Sequence, residues 1–156
     1  MVKMNFYNFF KIFKKRNKKE FKVEDLPILW DEYAKIYDKL LITSIFQDVG
    51  QILLNSIVPC PGGIVHDGGC GTGYWLKDIL EKTQAKKIIA TDISSEMLRR
   101  ARKRVSKLPR EYQAKIEFQQ MDLNTDWPEG VFDAHIFQLV ANYLPGENWK
   151  RIIEMS

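Results

Sequence analysis

Residues 64–73 read Ile-Val-His-Asp-Gly-Gly-Cys-Gly-Thr-Gly: a short apolar stretch, an acid at its end, then glycines at alternate positions. Glycine at Gly69, Gly71 and Gly73 lets the chain turn with positive φ and lets a ligand approach main-chain atoms that a Cβ would shield. The pattern also excludes something. A dinucleotide fingerprint, Gly-x-Gly-x-x-Gly, would place its third glycine at position 74, where this chain has Tyr74. That fingerprint also leaves the adjoining helix N-terminus to receive a pyrophosphate, so it has no use for a carboxylate at the strand end. Asp67 suits a cationic or amine-bearing ligand instead.

The chain downstream repeats one design. Lys87-Ile88-Ile89-Ala90-Thr91-Asp92 is an apolar run closed by an acid, and Ser94 follows in position to cap a helix whose first turn holds Glu96. In open α/β sheets ligands bind just outside the carboxyl ends of the strands, and an acid about 20 residues beyond the glycine turn can accept bonds from ribose hydroxyls. Asp92 is so placed. Ile116–Leu123 reads as another strand ending in an acid, Asp122, and Phe132–Phe137 supplies a fourth strand. Upstream, residues 29–40 have the periodicity of an amphipathic helix with Tyr33 and Tyr37 on one face, and 42–58 continue at mostly helical spacing until Pro59-Cys60-Pro61-Gly62-Gly63 breaks the chain.

These four segments, taken in order from Asp67-x-Gly69-x-Gly71-x-Gly73 onward, resemble the class I S-adenosylmethionine-dependent methyltransferases of the small-molecule and lipid type. The resemblance spans residues 29 to 155. It implies an α/β Rossmann-like fold, a mainly parallel sheet with helices on both faces, and S-adenosyl-L-methionine as cofactor. By that resemblance Asp67, with Gly68, Gly69, Gly71 and Gly73, faces the methionine moiety. Asp92 takes the ribose, Ile93 and Met97 flank the adenine, and Asp122 with Leu123 lies near the adenine amino group. The Tyr37-Asp38-Lys39-Leu40 ending resembles a cofactor lid, with Tyr37 approaching the methionine end; the alternative is an aromatic pair that docks the helix on the core. Gln138, Asn142 and Tyr143 fall where relatives contact substrate or cofactor, and Gln138 is counted with the cofactor residues. The acceptor is expected to be a small molecule or lipid-like. No residue is assigned as catalytic base, and no metal-ligand spacing occurs.

The resemblance also predicts what is incomplete. A full class I sheet has seven strands in the order 3-2-1-4-5-7-6, and only the first four are placed here, so the C-terminal strands are expected to be missing and the fourth strand to be an open edge. A second copy of the chain or a partner chain would then pair there. The alternative function is a non-catalytic or fragmentary cofactor-binding module using that edge for a partner. His66 stands where relatives are generally apolar, which implies partial exposure of the first strand or an unusual core. His135, inside the fourth strand, is given no role.

Charge separates residues 1–22, a basic and aromatic arm, from the domain at 23–156, itself divided into lid helices at 23–58 and a partial core at 63–156. The first 20 residues carry a net +6, which leaves the remainder at −2 against an overall +4. Interleaved with Phe6, Phe9, Phe10 and Phe13, these lysines suit an anionic membrane surface or remain a solvated arm; nucleic acid is a weaker fit. A second basic cluster, Arg99 to Lys107, reads as an exposed helical face. Two cysteines, Cys60 and Cys70, point to a reducing compartment, hence a cytoplasmic protein that could bind a membrane peripherally.

Overall fold

A computed structural model describes residues 25–41, 45–138 and 140 of the chain. The basic arm, Asn142 and Tyr143 lie outside the described residues. Two helices come first, α1 (Leu26–Leu41) and α2 (Ile45–Ser56), followed by strand β1 (Ile64–Gly68). Then come α3 (Leu76–Thr83), β2 (Lys87–Asp92), α4 (Ser95–Val105), the single turn α5 (Arg110–Gln113), β3 (Ile116–Gln120) and β4 (Ala134–Phe137). The strands lie in the order β3-β2-β1-β4, every neighbouring pair parallel. That order is the first half of the expected class I sheet.

Parallel strands need crossovers, and helices laid over a sheet bury it, so the inner strands read as nearly continuous apolar runs. β2 is buried from Ile88 to Asp92, whereas β3, at the edge, is buried only at Ile116. Val65, Ile88, Ala90, Ile116 and Ile136 share one face and pack with Leu54 of α2, Ile79 and Leu80 of α3, and Val105 of α4. The opposite face is closed differently. His66 and Phe137 meet Trp127, His66 also meets Phe132, and Leu123 adds to Trp127, so the chain between β3 and β4 covers that side. Asp122 lies two residues past β3, in a turn where its Oδ1 accepts from the backbone N–H and side-chain amide of Asn124 at 2.9 Å each. Among the described residues β4 pairs with β1 alone.

His66 is fully buried, so the unusual core is what the structure contains and the exposed strand is not. His66 sits directly across the ladder from His135, and their Nδ1 atoms lie 3.1 Å apart, while Nε2 of His66 meets the Thr91 hydroxyl at 2.9 Å. A single proton fits between two facing Nδ1 atoms; two would collide. Burial first, and the His135 ring second, push His66 down to about 3. A histidine depressed in the folded state contributes stability at neutral pH that is lost as the pH falls below its unfolded value near about 6.5. Wild-type unfolding free energy from urea denaturation should therefore drop more steeply between about pH 6.5 and 4 than that of His66→Phe. Parallel profiles would show that the imidazole titrates freely in the core.

Candidate functional site

The glycine turn folds over the carboxyl end of β2. The N–H groups of Gly69 and Cys70 both donate to the Thr91 carbonyl at 2.9 Å, and Gly71 donates to Asp92 Oδ2 at 2.8 Å. Gly73 donates back to the Cys70 carbonyl. These amides are spent within the fold, which leaves them unable to cradle a phosphate and agrees with the exclusion of a dinucleotide loop. Asp92 Oδ1 accepts from Ser94 N–H at 2.9 Å. Ser94 in turn caps α4, its hydroxyl accepting from Met97 N–H at 3.0 Å. One carboxylate thus ties the glycine turn to the start of the next helix.

Asp67 is the unusual member. It is 5% exposed, at the end of β1, and among the described residues its carboxylate takes no hydrogen bond. Burial first, and the neighbouring Asp92 second, push its carboxyl up to about 7. Burial also raises Asp92, to about 6, against the pull of the Ser94 and Gly71 amides. Two carboxyls buried side by side repel, and a cation placed between them would restore both to their charged forms. Asp67 opens onto a pocket walled by Tyr37, Tyr74 and Trp75 and completed by Gly69, Cys70, Thr72 and Gln138. Aromatic walls beside a carboxylate suit a small organic cation.

Helix α1 forms the roof. Tyr33, 5% exposed, packs with Ala34 and Met97, while Tyr37 lines the pocket, so the two tyrosines divide the two roles open to them: one docks the helix and the other faces the ligand space. A Cβ on Gly71 would touch the Tyr37 ring at 3.4 Å. Asp31 fastens the helix at one end, its Oδ1 accepting from the Ser94 hydroxyl at 2.5 Å and from Glu96 N–H at 3.0 Å. From beyond, α2 comes in on Gly50, where a Cβ would strike the Trp75 indole and lie 2.5 Å from Gln138 Nε2.

The residues expected at the site therefore separate. Asp67, Gly69, Tyr37 and Gln138 share the pocket, and Gly71 and Asp92 adjoin it. Gly68 instead makes room for the Phe137 ring, Gly73 for Ala101 and Leu76, and Met97, 2% exposed, is committed to the α1–α4 contact. Ile93 is half-buried, with its carbonyl bonded to Gln120 Nε2, and Leu123 belongs to the small core with Trp127. The basic face of α4 is not uniformly solvated: Arg99 is exposed and pairs with Glu96, but Arg104 turns toward the glycine loop. Sequence reading overlooked Thr72, Trp75, Asp31, Asp38 and Arg104. The carboxylates sit on an amphipathic helix, where acids ordinarily mark the wet side, and only the fold turns these two inward.

A family model described as a methyltransferase domain matches residues 65–155, well over half of the chain and all four strands after the first residue of β1. The chain belongs to the methyltransferase-domain family. No curated protein sequence matches it. Among solved structures it is similar to DhpI in complex with SAH, at 23% identity and a TM-score of 0.65, over 85% of this chain and 61% of that one. Phosphoethanolamine N-methyltransferase 1 of Haemonchus contortus, in complex with phosphoethanolamine and S-adenosylhomocysteine, matches over 85% of this chain and 28% of its own at 16% identity, TM-score 0.65. An S-adenosylmethionine dependent methyltransferase from Mesorhizobium loti gives 24% identity and a TM-score of 0.55, over 67% of this chain and 46% of that one. These likenesses are of fold, the Rossmann-like α/β fold of class I methyltransferases. The chain spans about three fifths of the length of DhpI.

Proposed function

We propose that this methyltransferase-family chain binds S-adenosyl-L-methionine at the β1–β2 strand ends and serves methyl transfer to a small-molecule or lipid-like acceptor. The observation that carries the reading is Asp67: a buried carboxylate without a hydrogen bond among the described residues, facing an aromatic-walled pocket. The residues present fit the group. Asp67 would pair with the amino group, and Tyr37 and Trp75 would flank the methionine end. A carboxylate has about four lone-pair sites, and the amides of Gly71 and Ser94 take one on each Asp92 oxygen, so Asp92 keeps acceptor capacity for ribose hydroxyls. By the family resemblance Ile93 and Asp122 would stand on the adenine side, and Leu123 would reach it only from its core contact with Trp127. Met97 would reach the adenine only by leaving Tyr33.

When bound, the cofactor supplies a sulfonium methyl group that is already a strong electrophile. The chain's own task is then to orient and to exclude water. Tyr37, Tyr74 and Trp75 would exclude water from the pocket they line, and the carboxamide of Gln138 would orient an acceptor. The phosphoethanolamine enzyme supports the small-molecule half of the acceptor class by likeness. The basic, aromatic arm supports the lipid-like half, as a segment suited to an anionic surface. No helix among the described residues is long and apolar enough to cross a membrane.

Asp67 makes the reading testable by pH. Its carboxyl must ionise to receive an ammonium group, so affinity for S-adenosylhomocysteine should rise between about pH 5.5 and 7.5, and binding near pH 6.5 should release a proton. Calorimetry in buffers of different ionisation enthalpy reads that proton directly. Asp67→Asn should bind more weakly and with no such release. Affinity that is flat with pH, with no proton released, would remove Asp67 from the site.

A further inference from the structure

The contact between α1 and the glycine loop is closed by three side chains from three elements. Arg104 of α4 donates through Nη1 to the Thr72 carbonyl at 2.5 Å and to the Thr72 hydroxyl at 2.9 Å, and through Nη2 to Asp38 Oδ2 at 2.7 Å. The Thr72 hydroxyl donates to Asp38 Oδ1 at 2.5 Å, which closes the ring. Thr72 lies between Gly71 and Gly73 and is 1% exposed; the Asp38 and Arg104 side chains are each 31% exposed. The Arg104 guanidinium also stands over the ring of Tyr74, 5.3 Å from its centroid.

We propose that Arg104 is a positioning residue of the cofactor site: with Asp38 and Thr72 it forms a clamp that holds the lid helix down on the glycine loop and so governs how long a bound cofactor stays. The inference rests on the cofactor reading above. Its logic is one of adjacency. Asp38 follows Tyr37, which lines the pocket, and Thr72 follows Gly71, whose N–H is held by Asp92. Tyr37 cannot swing off the pocket while its neighbour is tied to the loop beneath it. Arginine is needed because the planar fork serves two partners at fixed angles and stacks on Tyr74 as well; lysine brings the charge without the fork. A lid whose closure depends on such a clamp sets residence time more than encounter rate.

The test is stopped-flow dissociation of S-adenosylhomocysteine from the full chain, with thermal unfolding recorded on the same samples. Arg104→Lys and Asp38→Asn should each release ligand about tenfold faster at a nearly unchanged association rate, and the double variant should be no faster than either single one. Thr72→Ser keeps the hydroxyl and should retain the wild-type rate, while Thr72→Val should not. Should Asp38→Asn fail to fold, the Thr72 pair decides alone. Folded variants that shift only their melting temperature and dissociate at the wild-type rate would overturn the clamp, leaving a purely structural contact. A wild type that binds no ligand would overturn the cofactor reading and the clamp with it, a result distinct from the first.

Discussion

Asp92→Ala should bind S-adenosylhomocysteine at least about 100-fold more weakly than the wild type. Two losses combine. Hydrogen bonds to a charged acceptor contribute about 1.5–3 kcal/mol each, and two ribose hydroxyls would lose theirs, where about 1.4 kcal/mol is a factor of ten. The same substitution leaves the Gly71 and Ser94 amides without their acceptor, so the glycine turn also loses its tie to α4. Asp92→Asn separates the losses, because its remaining carbonyl oxygen can serve one amide without the charge. Its affinity should fall between the other two. Removing Asp92 also relieves the repulsion on Asp67, so the Asp67 carboxyl should titrate lower in Asp92→Ala. Wild-type affinity in a folded Asp92→Ala protein would show that the strand-end acid is only a turn former.

Gly73→Ala should be strongly destabilising, and Gly62→Ala is its internal control. Both glycines have positive φ, +69° and +76°, so both substitutions carry the left-handed strain of about 1–2 kcal/mol. They differ in surroundings. A Cβ at Gly62 meets nothing within 4 Å, whereas one at Gly73 lies 2.9 Å from the Ala101 Cβ and the Leu76 Cδ1 and 3.1 Å from the Ala101 backbone. Overpacking adds about 1–3 kcal/mol, which brings Gly73→Ala to about 2–5 kcal/mol against a typical total of about 5–15. Urea denaturation should show Gly73→Ala well below Gly62→Ala. Equal losses would mean that α4 can shift away, and that the third glycine is there for its backbone alone.

What the sequence makes legible is local. Apolar runs closed by Asp67 and Asp92 mark two strand ends because a buried parallel strand is apolar on both faces, and Ser94 marks the α4 start because an orphan N–H needs an acceptor there. Strand order followed from the family resemblance, and β3-β2-β1-β4 agrees with it. What stayed hidden depends on partners far along the chain. Asp38 meets Arg104 across 66 positions and Thr72 across 34, and no periodicity on either helix marks those contacts. Glycine spacing marks the turn but not what each missing Cβ makes room for: Gly73 belongs to packing against Ala101, and Gly68 to the Phe137 ring. His66 is the same lesson in the core, a polar residue made tolerable by Thr91 and His135 from neighbouring strands.

Calorimetric titration of the purified chain at about pH 7.5, above the raised Asp67 value, with S-adenosylhomocysteine and separately with NADH decides which ligand the strand-end site takes. The account predicts micromolar binding of the first and no heat from the second, because the loop amides a pyrophosphate would need are already bonded to Thr91, Asp92 and Cys70. A folded chain that takes NADH, or that gives no heat with S-adenosylhomocysteine, would contradict it.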